Sequence, residues 1–185
     1  MSNDKTRREF LTGVGSGFVA LTVATSYGAI SPEQARAKQV ALGVLSETEG
    51  RTLEALGDVL LPGAAAAGIA YYVDSQLASK TPLLLLNYLD FPMPFVDFYR
   101  QGLASLEDLA QARHGHSFPQ LPSSLKAGVV REISQKNPPG WSGPPAPLFY
   151  FVTRNDSLDV YYGTQEGFAK LNIPYMAHIE PPEKW

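Results

Sequence analysis

The 185-residue chain contains no cysteine. That absence excludes disulfides, iron–sulfur clusters, thiolate zinc sites, a thiol nucleophile and a lipid-bearing cysteine. Histidine is scarce, with three residues in all. Two of them share the stretch His114-Gly115-His116, which lacks the further ligands a tight metal site needs and reads as the glycine-stopped end of a helix. Positive charge is not in excess either. Fifteen Lys and Arg against eighteen Asp and Glu leave a net charge of −3, which gives no electrostatic reason to expect nucleic acid as a partner. Alternating apolar and polar runs flanked by hairpin turns are missing, so the pattern predicts an all-α fold. At this length there is room for one ordinary domain.

Catalytic motifs are also lacking. Gly13-Val14-Gly15-Ser16-Gly17 has no third glycine at the dinucleotide-loop position and follows no strand. Gly140-Trp141-Ser142-Gly143 is followed by Pro144 and has no strand–turn–helix context, so it is not a nucleophile elbow. The acidic pairs Asp156/Asp159 and Glu107/Asp108 read as solvated helix faces. The expectation is a chain without catalytic, metal or cofactor-binding residues. A cofactor-free enzyme built on carboxylates or His178 stays open as an alternative, as does a stand-alone periplasmic helical binding or scaffold protein.

What the chain does carry begins at its N-terminus. Lys5, Arg7 and Arg8 precede an uncharged run from Leu11 to Ile30 that contains Gly13, Gly15, Gly17 and Gly28. Such a run partitions into a bilayer less well than a leucine-rich span. Thr6-Arg7-Arg8-Glu9-Phe10-Leu11 resembles the twin-arginine (Tat) export signal, in which paired arginines precede a residue and then Phe-Leu. The planar guanidinium fork suits such recognition in a way lysine does not. Ala35-Arg36-Ala37 offers an A-x-A cut before Lys38. Residues 1–37 are therefore expected to be the signal, with Arg7, Arg8, Phe10 and Leu11 as its recognition residues and Ala35 and Ala37 at the cut. Residues 38–185 would form a single domain. Removing 1–37 takes four basic and three acidic residues and shifts the net charge from −3 to −4, leaving no basic stripe for a membrane surface.

About five helices are expected in that domain. Ser46 and Glu49 form a capping box, after which Leu53, Leu56, Val59 and Leu60 recur at helical spacing until Pro62-Gly63. A second helix is expected from about Ala66 to Ala78, and a third from Phe95 to His114-Gly115. A fourth, capped by Ser123 or Ser124, would end at Asn137-Pro138, and a fifth covers "LFYFVTRNDSLDVYYG" with aromatic residues on more than one face. Between the second and third, "TPLLLLNYLDFPMP" is apolar but broken by prolines, so it predicts a loop or short helix under cover. From Pro138 onward the chain is rich in proline and aromatic residues. Trp141, Phe149, Tyr150, Tyr161, Tyr162, Tyr175 and Trp185 divide between core and a patch for a partner, since Trp and Tyr dominate interface hot spots. Residues 138–185 are the expected docking segment.

The ordered series "LSETEGRTLEALGDVLLPGA", "AGIAYYVDSQLAS", "FYRQGLASLEDLAQARHGHSFPQLP" and "FYFVTRNDSLDVYYG" resembles the gluconate 2-dehydrogenase subunit 3 family, the small subunits of FAD-dependent sugar and alcohol dehydrogenases. Asp58 and Pro62 match its Asp-x-x-x-Pro stop. Tyr99, Gly102, Leu103, Gly115 and Phe118 match its Tyr-x-x-Gly-Leu helix and the Gly-x-x-Phe downstream. The tail "TQEGFAKLNIPYMAHIEPPEKW" departs from the glycine-asparagine-rich turn and Gly-Trp segment of many members. The resemblance implies a non-catalytic subunit that binds a large FAD-dependent catalytic subunit of the glucose–methanol–choline type as a heterodimer. It further implies that this subunit escorts its partner, chaperone-like, through the Tat translocase to the periplasm. FAD would sit in the partner, and electrons would pass to haem c in a third, cytochrome c subunit or to another acceptor, with no cofactor in this chain.

Overall fold

The computed structural model describes residues 23–25, 28–163, 167, 169 and 171. Two three-residue strands, β1 (Val23–Thr25) and β2 (Gly28–Ile30), pair antiparallel with Val23 opposite Ile30. Among the described residues six bounded α-helices follow: α1 (Pro32–Ala37), α2 (Glu47–Leu60), α3 (Ile69–Leu77), α4 (Phe95–His114), α5 (Ser123–Ile133) and α6 (Ala146–Tyr162). Short 3-10 turns occupy Leu85–Tyr88 and Phe118–Gln120. The all-α class holds. The hairpin and α1 are additions to it: Val23, Thr25 and Ile30 suit short strands, and Ser31-Pro32 starts a helix too short to show a period.

Local chemistry explains the helix ends. The Ser46 hydroxyl accepts from the Glu49 amide while the Glu49 carboxylate accepts from the Ser46 amide at 2.7 Å, so the expected capping box starts α2. Asp97 lies in the first turn of α4 and Arg113 and His114 in its last, matching the helix dipole. Gly115 closes α4 at φ 71°, a left-handed position that glycine takes without a Cβ penalty. Three expected ends shift, one of them the C-terminal end of α5, at Ile133 where Asn137-Pro138 was expected. α3 starts at Ile69, because residues 62–68 form turns and Gly68 sits at φ 88°. α5 starts with Pro122 at its N-cap and no side-chain cap from Ser123 or Ser124.

Helix α2 lies at the centre, in contact with α3, α4, α5, α6 and the second 3-10 turn. Its Leu53 and Leu56 are fully buried with Ile69, Val73, Phe98, Leu103, Leu106, Ile133, Phe149 and Val160 in one continuous core. Burial of each such side chain contributes about 1.5–3 kcal/mol. The proline-broken apolar stretch supplies Leu84 and Leu86 to the same core through its 3-10 turn.

Candidate functional site: buried acids and the outward face of α6

The candidate residues separate into acids bonded inside the fold and aromatics, some of which stay on its surface. Asp74, near the end of α3, accepts hydrogen bonds from the amides of Gly43, Val44 and Leu45 at 2.7–2.8 Å. Those three donors precede the first turn of α2 and have no helical partner, so one carboxylate holds the whole approach loop. Asp58 does the same at the other end of α2, accepting from Gly63 and Ala65. The Glu107 carboxylate accepts from the Thr52 hydroxyl and, at 2.9 Å, from the Phe118 amide, tying α2, α4 and the second 3-10 turn together. Asp58 and Glu107 are thereby fixing points of the fold, and the expectation that Glu107 is a solvated face is corrected.

Asp156 overturns the same expectation more sharply. It is fully buried on α6, its Oδ2 accepting from the Tyr99 hydroxyl at 2.6 Å. Its Oδ1 has no hydrogen-bond partner among the described residues. Loss of solvation pushes its pKa up to about 8, with the nearby Asp159 adding to the rise and the Tyr99 hydrogen bond opposing it. Burial, then the Asp156 charge, drives Tyr99 and Tyr72 well above the ordinary tyrosine value. A carboxyl so displaced is a common mark of catalysis. Here Asp156 and Tyr99 are sealed and Tyr72 nearly so, with exposures of 0%, 0% and 1%, and no substrate atom could reach them. The group is a buried acid of raised pKa that links α4 to α6.

The glycine-rich stretch after α5 is also structural. The Trp141 indole donates to the Pro144 carbonyl at 2.6 Å and its ring lies 6.0 Å from that of Phe149. Ser142 bonds Ser105 of α4. His114 ends α4 and His116 lies just beyond Gly115, on the exposed side. Among the described residues no group of three or more His, Asp or Glu is placed to hold a metal ion. An open groove of about 690 Å³ runs between the 39–46 loop, α2 and α3, lined by Leu42, Leu45, Glu47, Arg51, Glu54 and Tyr71; the Ser46 hydroxyl on its wall is taken up in capping α2.

The expected docking aromatics fall into three groups. Phe149 is a core ring, packed over Gly102 and against Phe98. Trp141, Tyr150, Tyr161 and Tyr162 are half-buried, with the last two in edge-on contact at 4.8 Å. Tyr175 and Trp185 lie outside the described residues, as do Arg7, Arg8, Phe10 and Leu11. Ala35 and Ala37 are on α1, Ala35 fully buried and Ala37 exposed.

One element of this surface was missed. The core stripe of α6 is Phe149, Val152, Thr153, Asp156 and Val160, so helical geometry points Phe151, Leu158 and Tyr162 away from it. Phe151 is 45% exposed, and Leu158 and Tyr162 are half-buried. The 3-10 turn packed on α6 carries Tyr88, which is 70% exposed. A helical wheel drawn on residues 146–162 would have separated Phe151 from the core rings; the run of aromatics hid it.

A sequence profile described as Gluconate 2-dehydrogenase subunit 3 matches residues 47–178, well over half of the chain. No curated protein and no solved structure matches the chain. The family match spans α2 to α6, including Asp58, Asp74, Gly102 and Tyr99. The chain belongs to the gluconate 2-dehydrogenase subunit 3 family, a family of small subunits of dehydrogenase complexes.

Proposed function

We propose that this chain is the non-catalytic small subunit of a periplasmic, FAD-dependent dehydrogenase of the glucose–methanol–choline type. It binds and stabilises the flavin-carrying catalytic subunit and escorts it, as a passenger without its own signal, through the twin-arginine route. The family match over residues 47–178 carries this reading. Two features of the chain support it. The fully buried Asp156 is sealed from solvent and bonded within the fold, and α6 keeps an aromatic residue, Phe151, turned outward. Burial of such rings is a strong contributor to protein–protein affinity. FAD belongs to the partner, and a haem-c subunit is the electron acceptor where a third subunit is present.

The test is export of the pair. With Arg7→Lys and Arg8→Lys together, both this chain and the flavoprotein should stay in the cytoplasm, each falling at least tenfold in the periplasmic fraction by immunoblot. A dehydrogenase that reaches the periplasm undiminished would remove the escort role. Co-purification of the flavoprotein with the tagged wild-type chain tests the subunit role separately.

A further inference from the structure

The A-x-A pattern at Ala35-Arg36-Ala37 marks the Ala37–Lys38 bond for cutting, yet the structure builds this segment into the domain. Ser31 caps α1, its hydroxyl accepting from the Gln34 amide, and Pro32 takes the first helical position. Helix α1 packs on α3, with Pro32 and Ala35 buried. The contact is close: a Cβ on Gly68, just ahead of α3, would lie 2.3 Å from the Pro32 carbonyl oxygen. Gly68 has φ 88°, so both its conformation and its bare Cα are used to admit α1. On the outer side the Arg36 guanidinium meets Glu54 of α2 at 2.8 Å. The Val40 amide donates to the Ala35 carbonyl at 3.0 Å, and the Lys38 amide to that of Gln34.

A signal peptidase needs small side chains at Ala35 and Ala37 inserted in its own pockets, with the backbone around them extended. In this fold Ala35 already faces α3, and the backbone is helical up to the bond in question. Cutting there requires α1 to detach and unwind. The twin-arginine route carries proteins already folded, so a chain exported that way would present the bond only in this protected form.

We propose that the fold protects the Ala37–Lys38 bond, so that the β1–β2 hairpin and α1 remain part of the mature subunit. α1 then acts as a clasp that joins the export segment to α2 and α3. The inference takes its setting from the export reading, but its test does not depend on export.

The purified, folded full chain is incubated with bacterial signal peptidase in detergent micelles beside a synthetic peptide of residues 28–45. Digestion after glutamate and mass spectrometry then report the bond, because the fragment Gln34–Glu47 spans it. The peptide should be cut at Ala37 at least tenfold faster than the folded chain. Gly68→Ala, which displaces the Pro32 carbonyl, should raise cutting of the full chain toward the peptide's rate. Glu54→Ala, which leaves the core untouched, should raise it a few-fold. Equal rates for peptide and wild-type chain overturn the proposal, as does a resistant peptide, since the fold would then protect nothing. An unchanged rate in both variants overturns it too. A failed export assay with the arginine variants would remove the escort role and leave this result standing.

Discussion

Asp156 and Asp74 are both buried aspartates, and they should behave oppositely when altered. Asp156 holds its proton up to about pH 8 in the folded chain, against an ordinary value of 3.8. Below that ordinary value both folded and unfolded chains are protonated, and the group contributes nothing to pH dependence. Between about 4 and about 8 the unfolded chain releases the proton while the folded chain keeps it. Stability is then lost as pH rises, at up to about 1.4 kcal/mol per pH unit from this group. The groups facing it, Tyr99, Tyr72 and Asp159, do not supply a positive charge to offset this. Asp156→Asn keeps the shape of the protonated acid and does not titrate. In urea melts it should match the wild type near pH 4 and become the more stable of the two as pH approaches 8. Asp74→Ala should instead lose stability, by about 2–4 kcal/mol in the same measurement, because three amides lose a charged acceptor. The acidic residues were legible in the sequence as acids only. Nothing in the spacing of Asp156 and Asp159 says that the first is inward and the second outward until α6 has chosen which stripe meets α4.

At the scale of elements, the contact between α4 and α6 is set by one glycine. A Cβ on Gly102 would lie 2.3 Å from the Phe149 ring, so Gly102→Ala must push α6 away or force the ring off its rotamer. Overpacking of this kind costs about 1–3 kcal/mol, read as a lower urea midpoint with an unchanged slope. The helices themselves were largely readable. Ser46 with Glu49, the stripe from Phe98 to Ala110 and the Gly115 stop are local signals that act within a few residues. α1 was not, because six residues carry too little periodicity to stand out, and its stability comes from Gly68 and Glu54, which are remote in sequence. The 3-10 turn at Leu85–Tyr88 was foreseen as an apolar segment under cover because proline limits its helical length while leucine still demands burial.

For the whole molecule, the outward face of α6 is the place where partner binding should be sensitive and folding should not. Phe151→Ser removes a ring that is 45% exposed, and surface changes of this sort alter stability by about 0.5 kcal/mol or less. Recovery of the flavoprotein on the tagged variant should nonetheless fall several-fold relative to wild type, with an unchanged melting curve. Full recovery would place the partner elsewhere on the chain.

The sequence by itself determined the helical class, the order of its principal helices and, through an ordered series of short motifs, the family. These depend on periodicity, caps and breakers, which operate between neighbours along the chain. Only the tertiary structure decided which acids are buried, which aromatic rings are core, and that Ala35 of the expected cut is packed against α3. Each of those depends on what residues far apart in sequence place around a side chain. Solvation, charge state and access are properties of that surrounding, and no spacing along the chain encodes them.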